Sequence, residues 1–65
     1  MMLNHREYAG FREGLTVDDV IKENRFTWPN LVVRLNGTVI WPEEYADTVV
    51  SQQDDLEVIH LLAGG

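Results

Sequence analysis

The chain has 65 residues, with 11 acidic and five basic side chains and a formal net charge of −6. This length supports a single domain, and a domain of this size buries only about 60% of the surface that its unfolded chain exposes. The acidic balance argues against a nucleic-acid interface, because that affinity depends on Lys and Arg side chains that neutralise phosphates.

Hydrophobic residues make up 45% of the chain, which is enough for a small core and argues against disorder. Cysteine is absent, so disulfides, thiolate catalysis and Cys-ligated zinc are excluded. The chain has only two histidines, His5 and His60, so we expect no metal site. We assign neither histidine a chemical role. No apolar run approaches ~18 residues and no basic-then-apolar leader opens the chain, so we expect a cytoplasmic protein without a membrane span.

The N-terminal elements are the least distinct in the sequence. An apolar start predicts a short strand over residues 1–4, and residues 4–6 would form the turn. Weak alternation over residues 7–11 predicts a second strand, which Glu13-Gly14 ends.

A short helix is the clearest local prediction. Thr16 followed by Asp19 three residues later matches a capping box, with Asp in place of the usual Glu. The helix is expected to end near Asn24. Its apolar stripe, at helical spacing, comprises Val17, Val20 and Ile21.

A hairpin and a final strand follow the helix. Residues 31–35 and 38–41 are predicted strands, and Asn36-Gly37 between them is a strong hairpin signal, since a type I′ turn needs a positive φ at both positions. Pro42 opens a short helical turn over residues 42–46. Residues 56–62 form the last strand. The order β-β-α-β-β-β predicts an α+β fold with one main helix on one face of a mixed sheet of four to five strands.

The face of this sheet away from the helix is a candidate partner-binding surface. If Leu56 and Val58 face the helix, alternation presents another set on the opposite face: Val32, Arg34, Ile59 and Leu61. Aliphatic side chains beside an arginine are typical of a protein-binding patch, although single apolar residues are also common on surfaces. The aromatic residues are interpreted as packing groups: Phe11, Trp28, Trp41 and Tyr45.

The end of the chain carries the functional signal. It reads Leu62-Ala63-Gly64-Gly65, and two glycines make a slender tail that can enter a narrow channel and present its carboxylate to chemistry there. We therefore interpret residues 1–62 as the domain and residues 63–65 as a flexible tail. Chance is the alternative, since glycine is common and chain ends fray.

Four further segments complete a known pattern: Glu13-Gly14-Leu15-Thr16-Val17, Val33-Arg34-Leu35-Asn36-Gly37, Glu43-Glu44-Tyr45-Ala46, and Asp54 before the final strand. Together with the Gly-Gly end, they make the whole chain resemble the ubiquitin-like β-grasp sulfur carriers. It is most similar to the ThiS group and more distantly similar to the MoaD group. Departures occur at Ile40-Trp41-Pro42, where the ThiS group usually has Val-Pro-Arg, and at Asn4-His5, where it usually has Asn-Gly.

The resemblance implies a carrier protein that is not itself an enzyme. Gly65 would be the reacting group, with Gly64 and Ala63 extending it into a partner's channel. A ThiF-type adenylyltransferase, using ATP and Mg²⁺ that the carrier does not bind, would convert the carboxylate to an acyl-adenylate. Sulfur from a cysteine desulfurase persulfide would then displace AMP and leave a thiocarboxylate. A ThiG-type thiazole synthase of thiamine biosynthesis would accept the sulfur.

Other functions stay open at this point. The carrier could serve molybdopterin synthesis or another acceptor, although MoaD-type chains usually run longer. A ubiquitin-like modifier would instead join its tail to lysines, and a β-grasp interaction module would have an inert tail. The acidic side chains are interpreted mainly as a solvated face, with steering toward a basic partner as the alternative.

Overall fold

A computed structural model of the chain describes residues 1–26 and 31–60. The predicted α+β order of five strands and one main helix is confirmed. The predictions for Trp28 and for residues 61–65 lie outside the described ranges. The elements are β1 (Met2–Leu3), β2 (Arg6–Glu7), α1 (Val17–Glu23), β3 (Leu31–Leu35), β4 (Thr38–Ile40), a 3-10 helix (Pro42–Asp47) and β5 (Asp55–His60).

The five strands form one mixed sheet in the order β2-β1-β5-β3-β4. The last strand, β5, therefore lies in the centre, parallel to β1 and antiparallel to β3. Such an arrangement, with a helix on one face, is the ubiquitin-like β-grasp architecture. The strand that precedes the C-terminal residues is thus hydrogen-bonded on both sides.

The start of α1 is fixed by the predicted capping box. Thr16 Oγ1 accepts a hydrogen bond from the Asp19 backbone N–H, and Asp19 Oδ2 accepts one from the Thr16 N–H, each at 3.1 Å. The bond from the Thr16 backbone lowers the pKa of Asp19. The apolar stripe is buried, as predicted, at Val17, Val20 and Ile21.

The core fills the space between the sheet and the two helices. Leu56 and Val58 of β5 face it, which confirms the predicted orientation of that strand. Tyr45 is buried and Phe11 is half-buried against the core, so both are packing residues as predicted. The remaining buried side chains are Met1, Leu15, Val17, Val20, Ile21, Val33 and Val50.

The turn between β3 and β4 also follows the prediction. Asn36 and Gly37 have φ values of 52° and 85°, the positive pair that a type I′ turn needs. The Asn36 side chain also donates to Asp54 Oδ1 at 3.0 Å and accepts from the Asp55 N–H at 2.9 Å. The hairpin is thereby joined to the start of the central strand. In Asp54, burial raises the pKa, but hydrogen bonds from Asn36 and Ser51 outweigh it and leave the pKa lowered.

The predicted second strand over residues 7–11 is wrong, because β2 covers only Arg6–Glu7. The chain instead leaves the sheet at Tyr8, whose hydroxyl donates to Glu23 Oε1 at 2.9 Å and accepts from Asn24 Nδ2 at 3.1 Å. At Gly10, a Cβ atom would lie 2.9 Å from the Tyr8 ring, so glycine lets the loop close over it. The weak alternation therefore belongs to a loop folded onto the end of α1.

The second half differs from the prediction only at element ends. β4 stops at Ile40, one residue before the predicted end, and the 3-10 helix continues to Asp47. Residues 48–50 then run beside residues 15–17, with Val50 N–H bonded to the Leu15 carbonyl at 2.8 Å. Periodicity and turn signals do not indicate this pairing, because it joins two segments far apart in the chain. No helix among the described residues is long and apolar enough to cross a membrane.

Glu23 makes the stability of the fold sensitive to acid. Its carboxylate accepts hydrogen bonds from Arg12 and Tyr8, and these lower its pKa. Because the folded-state pKa lies below the unfolded value, the stabilisation is present above about pH 4.3 and is lost as the pH falls through the folded pKa. We expect Glu23→Gln to flatten the decline of the melting temperature below about pH 5. Glu13→Gln, which removes an exposed acid without these partners, should leave the wild-type slope; equal slopes in all three proteins would contradict the assignment.

Candidate functional site

The predicted tail begins just beyond the end of the central strand. Ala63, Gly64 and Gly65, with Leu61, lie outside the described residues, so the tail's role stays a prediction. The last described residue, His60, is exposed and pairs with Leu31 of β3. The residues that lead to the tail therefore follow a residue paired with the first residue of β3.

The structure brings together three of the four residues of the predicted patch. Val32 lies directly opposite Ile59, and Arg34 lies two residues along the same strand. Because successive residues alternate between faces, all three are on the sheet face away from α1. Ile59 is 37% exposed, and Val32 and Arg34 are half-buried. The outer face, as we call this surface, is defined by Val32, Arg34, Val39, Glu57 and Ile59.

Glu57 holds the arginine of the outer face in place. Its Oε1 lies 3.0 Å from Arg34 Nη2, and its Oε2 lies 3.4 Å from His5 Nε2. The carboxylate of Glu57 therefore balances the positive charge of Arg34 within the outer face. The Nε atom of Arg34 is buried and has no hydrogen-bond partner. A half-exposed pair of this kind contributes at most about 1 kcal/mol to stability, so its main consequence is orientation. The sequence placed Glu57 on this face but gave no sign of the ion pair.

Two apolar residues of the surface were missed by the sequence analysis. Val39 pairs with Arg34 across the β3–β4 ladder, so it extends the outer face, and it is 40% exposed. Trp41 follows β4 directly and is 62% exposed, so the interpretation of Trp41 as a packing group is wrong. The alternation of side chains between the two faces along residues 38–41 could have placed Val39 on the outer face. The exposure of Trp41 depends on the turn into the 3-10 helix, which alternation does not show.

Most acidic side chains predicted as a solvated or steering surface have local structural roles. Asp18 forms an ion pair with Lys22 at 2.8 Å, and Glu44 accepts from the Trp41 N–H at 2.9 Å. His60 is exposed at the strand end, as predicted, and His5 lies in the first turn with a φ of 70°. Residues 1–26 and 31–60 contain no group of three or more side chains that could hold a metal ion.

Comparison with known proteins decides the family. The model of the ThiS family matches residues 4–65, almost the whole chain and including both glycines. The chain belongs to the ThiS family. ThiS-family proteins are small sulfur carriers that are not themselves catalysts, and they work with activating and sulfur-acceptor partners. The resemblance seen in the sequence is therefore confirmed at the level of the family.

A solved structure supports the fold of this ThiS-family chain. The crystal structure of the thiamine biosynthesis protein ThiS from Geobacter metallireducens superposes with a TM-score of 0.79 at 24% identity. The alignment covers 98% of this chain and 96% of the other. At this identity the likeness establishes the shared β-grasp fold. A search of curated proteins found no match.

Proposed function

We propose that the chain is a sulfur carrier for thiazole formation in thiamine biosynthesis, and that the Gly65 carboxylate is its reacting group. The observation that carries the proposal is the family match, which continues through the Gly-Gly end to residue 65. The structure adds that these residues follow a strand paired on both sides. The domain would then present a tail whose last two residues have no side chains.

The proposed chemistry takes place in three steps on the tail. A carboxylate oxygen of Gly65 attacks the α-phosphorus of ATP, with Mg²⁺ held by a ThiF-type adenylyltransferase, and pyrophosphate leaves. Persulfide sulfur from a cysteine desulfurase system then attacks the acyl carbon, and AMP leaves with the former carboxylate oxygen. A thiol cleaves the resulting acyl disulfide, is itself oxidised to a disulfide, and frees the thiocarboxylate.

The residues of the described domain bind and orient the partners and do not take part in the bond changes. Val32 and Ile59 offer apolar area on the outer face, and Arg34, fixed by Glu57, offers directed N–H donors. Apolar side chains with a few oriented polar groups are typical of protein interfaces. In this proposal, a ThiG-type thiazole synthase accepts the sulfur.

The intact mass of the chain tests the proposal. Incubation with ATP, Mg²⁺, the adenylyltransferase and a persulfide source should add the mass difference between one sulfur and one oxygen. The variant that lacks Gly65 should show no change in mass. Its melting temperature should match the wild type, because the core residues of the described ranges all lie between Met1 and Val58.

Other outcomes separate the alternative functions. Covalent ladders on lysines of other proteins would indicate a modifier, and an unchanged mass in the full chain would indicate an inert tail. Transfer of sulfur to a molybdopterin precursor but not to thiazole synthase would support the sulfur-carrier function and contradict the assignment to thiamine biosynthesis.

A further inference from the structure

Trp41 is the most exposed large apolar side chain among the described residues, at 62%. Burial of a tryptophan removes roughly 150–250 Å² from water, and tryptophan is enriched among the residues that dominate binding energy. An indole this far in solvent offers a large apolar area that a second molecule can cover. Trp41 therefore needs an explanation that packing within the domain does not supply.

The backbone that carries Trp41 is fixed before any partner arrives. The Trp41 N–H donates to Glu44 Oε1 at 2.9 Å, and the Trp41 carbonyl accepts from the Glu44 N–H at 2.8 Å. Pro42, which follows, has a φ restricted by its ring. A side chain on a rigid backbone loses little conformational entropy on binding, which is a property of interface anchors.

Trp41 also lies near His60, the last described residue of β5. Leu31 pairs with His60 on one side, and on the other side it lines the same cleft as Trp41 and Pro42, a space of about 350 Å³. Neighbouring strands are about 4.8 Å apart and β3 lies between β4 and β5, so roughly 10 Å separates β4 from β5. An interface of ordinary size covers about 800 Å² on each protein. A protein that binds the tail with such an interface can therefore also contact Trp41.

The charges around Trp41 indicate the chemistry of that protein. The 3-10 helix after Trp41 carries Glu43, Glu44 and Asp47 and no basic residue, and all three acids are exposed. A complementary surface therefore has Lys and Arg side chains around an apolar recess. A second copy of this chain would bring like charges together, given a net charge of −6, so a different protein is favoured.

We propose that Trp41 is the aromatic anchor by which the enzyme that activates the tail holds this carrier, the indole entering an apolar recess rimmed by Lys and Arg. The proposal rests on the sulfur-carrier function proposed above. It assigns to Trp41 a role in affinity and none in the bond changes at Gly65.

Steady-state thiocarboxylate formation with the full chain as the varied substrate tests this role. We expect Trp41→Ala to raise the KM for the carrier on the order of tenfold or more, with kcat nearly unchanged, and Trp41→Phe to have a smaller effect. The matched control is Val49→Ala, because Val49 is 58% exposed and lines a different cleft. Equal KM values for the Trp41→Ala and Val49→Ala variants would overturn the proposal.

Two further measurements separate the possible failures. Glu43→Gln with Asp47→Asn should raise the KM and weaken its dependence on salt; an unchanged salt dependence overturns the basic rim. Sedimentation should show a wild-type monomer, and a dimer that Trp41→Ala dissolves would assign Trp41 to a second copy. If the wild-type chain forms no thiocarboxylate, the proposed function fails, whereas a normal kcat and KM in Trp41→Ala refutes only the anchor.

Discussion

Replacement of Leu56 by alanine is expected to remove a large share of the free energy of unfolding. Leu56 is fully buried in the central strand, where it pairs with Leu3 of β1 and Leu35 of β3. Loss of a buried leucine side chain costs about 2–5 kcal/mol, and a domain this small has a free energy of unfolding at the lower end of about 5–15 kcal/mol. The melting temperature, followed by circular dichroism, should fall by about 10 °C or more.

The matched control for Leu56→Ala is Ile59→Ala. Both residues belong to β5, but Ile59 lies on the outer face and is 37% exposed. We expect Ile59→Ala to change the free energy of unfolding by less than about 1 kcal/mol. Equal losses in the two variants would contradict the assignment of the two faces of the central strand.

Replacement of Gly64 by valine is expected to abolish carrier function without affecting the fold. A branched side chain next to the reacting carboxylate would obstruct a narrow channel and displace the carboxylate from the attacking position. Misplacement of a reacting group by about 1 Å costs on the order of a hundredfold in rate, so thiocarboxylate formation measured by intact mass should fall at least that far. The melting temperature should equal that of the wild type.

The matched control for Gly64→Val is Gly37→Ala in the hairpin. Gly37 has a φ of 85°, so alanine there should cost about 1 kcal/mol of stability and leave thiocarboxylate formation intact. The two glycine variants thus have opposite expected effects. Normal thiocarboxylate formation by Gly64→Val would contradict the proposed threading of the tail.

The elements that the sequence predicted well are those determined by near neighbours. The capping box joins Thr16 to Asp19, three residues away, and the Asn36-Gly37 turn needs only its own backbone preferences. The faces of β3 and β5 follow from simple alternation, which is why Val32, Arg34 and Ile59 were placed together correctly. Local rules fix these features before the chain folds.

The features that the sequence did not predict depend on distant contacts. Tyr8 leaves the sheet because its hydroxyl reaches Glu23 and Asn24, 15 and 16 residues later, and no pattern in residues 7–11 contains that information. The pairing of Glu57 with both Arg34 and His5 likewise joins three strands or turns. The role of the Gly-Gly end stays a prediction, which rests on its unusual composition and on the family resemblance.

The parallel pairing of β1 with β5 has a mechanical consequence. These strands are neighbours that run in the same direction, so the amino end of one and the carboxyl end of the other point to opposite poles of the molecule. Traction applied between those ends would load the interstrand bonds in shear, so that they must break together and cannot open one after another. A pull between the two ends would therefore act along the two residue pairs that join these strands, Met2–Asp55 and Leu3–Leu56.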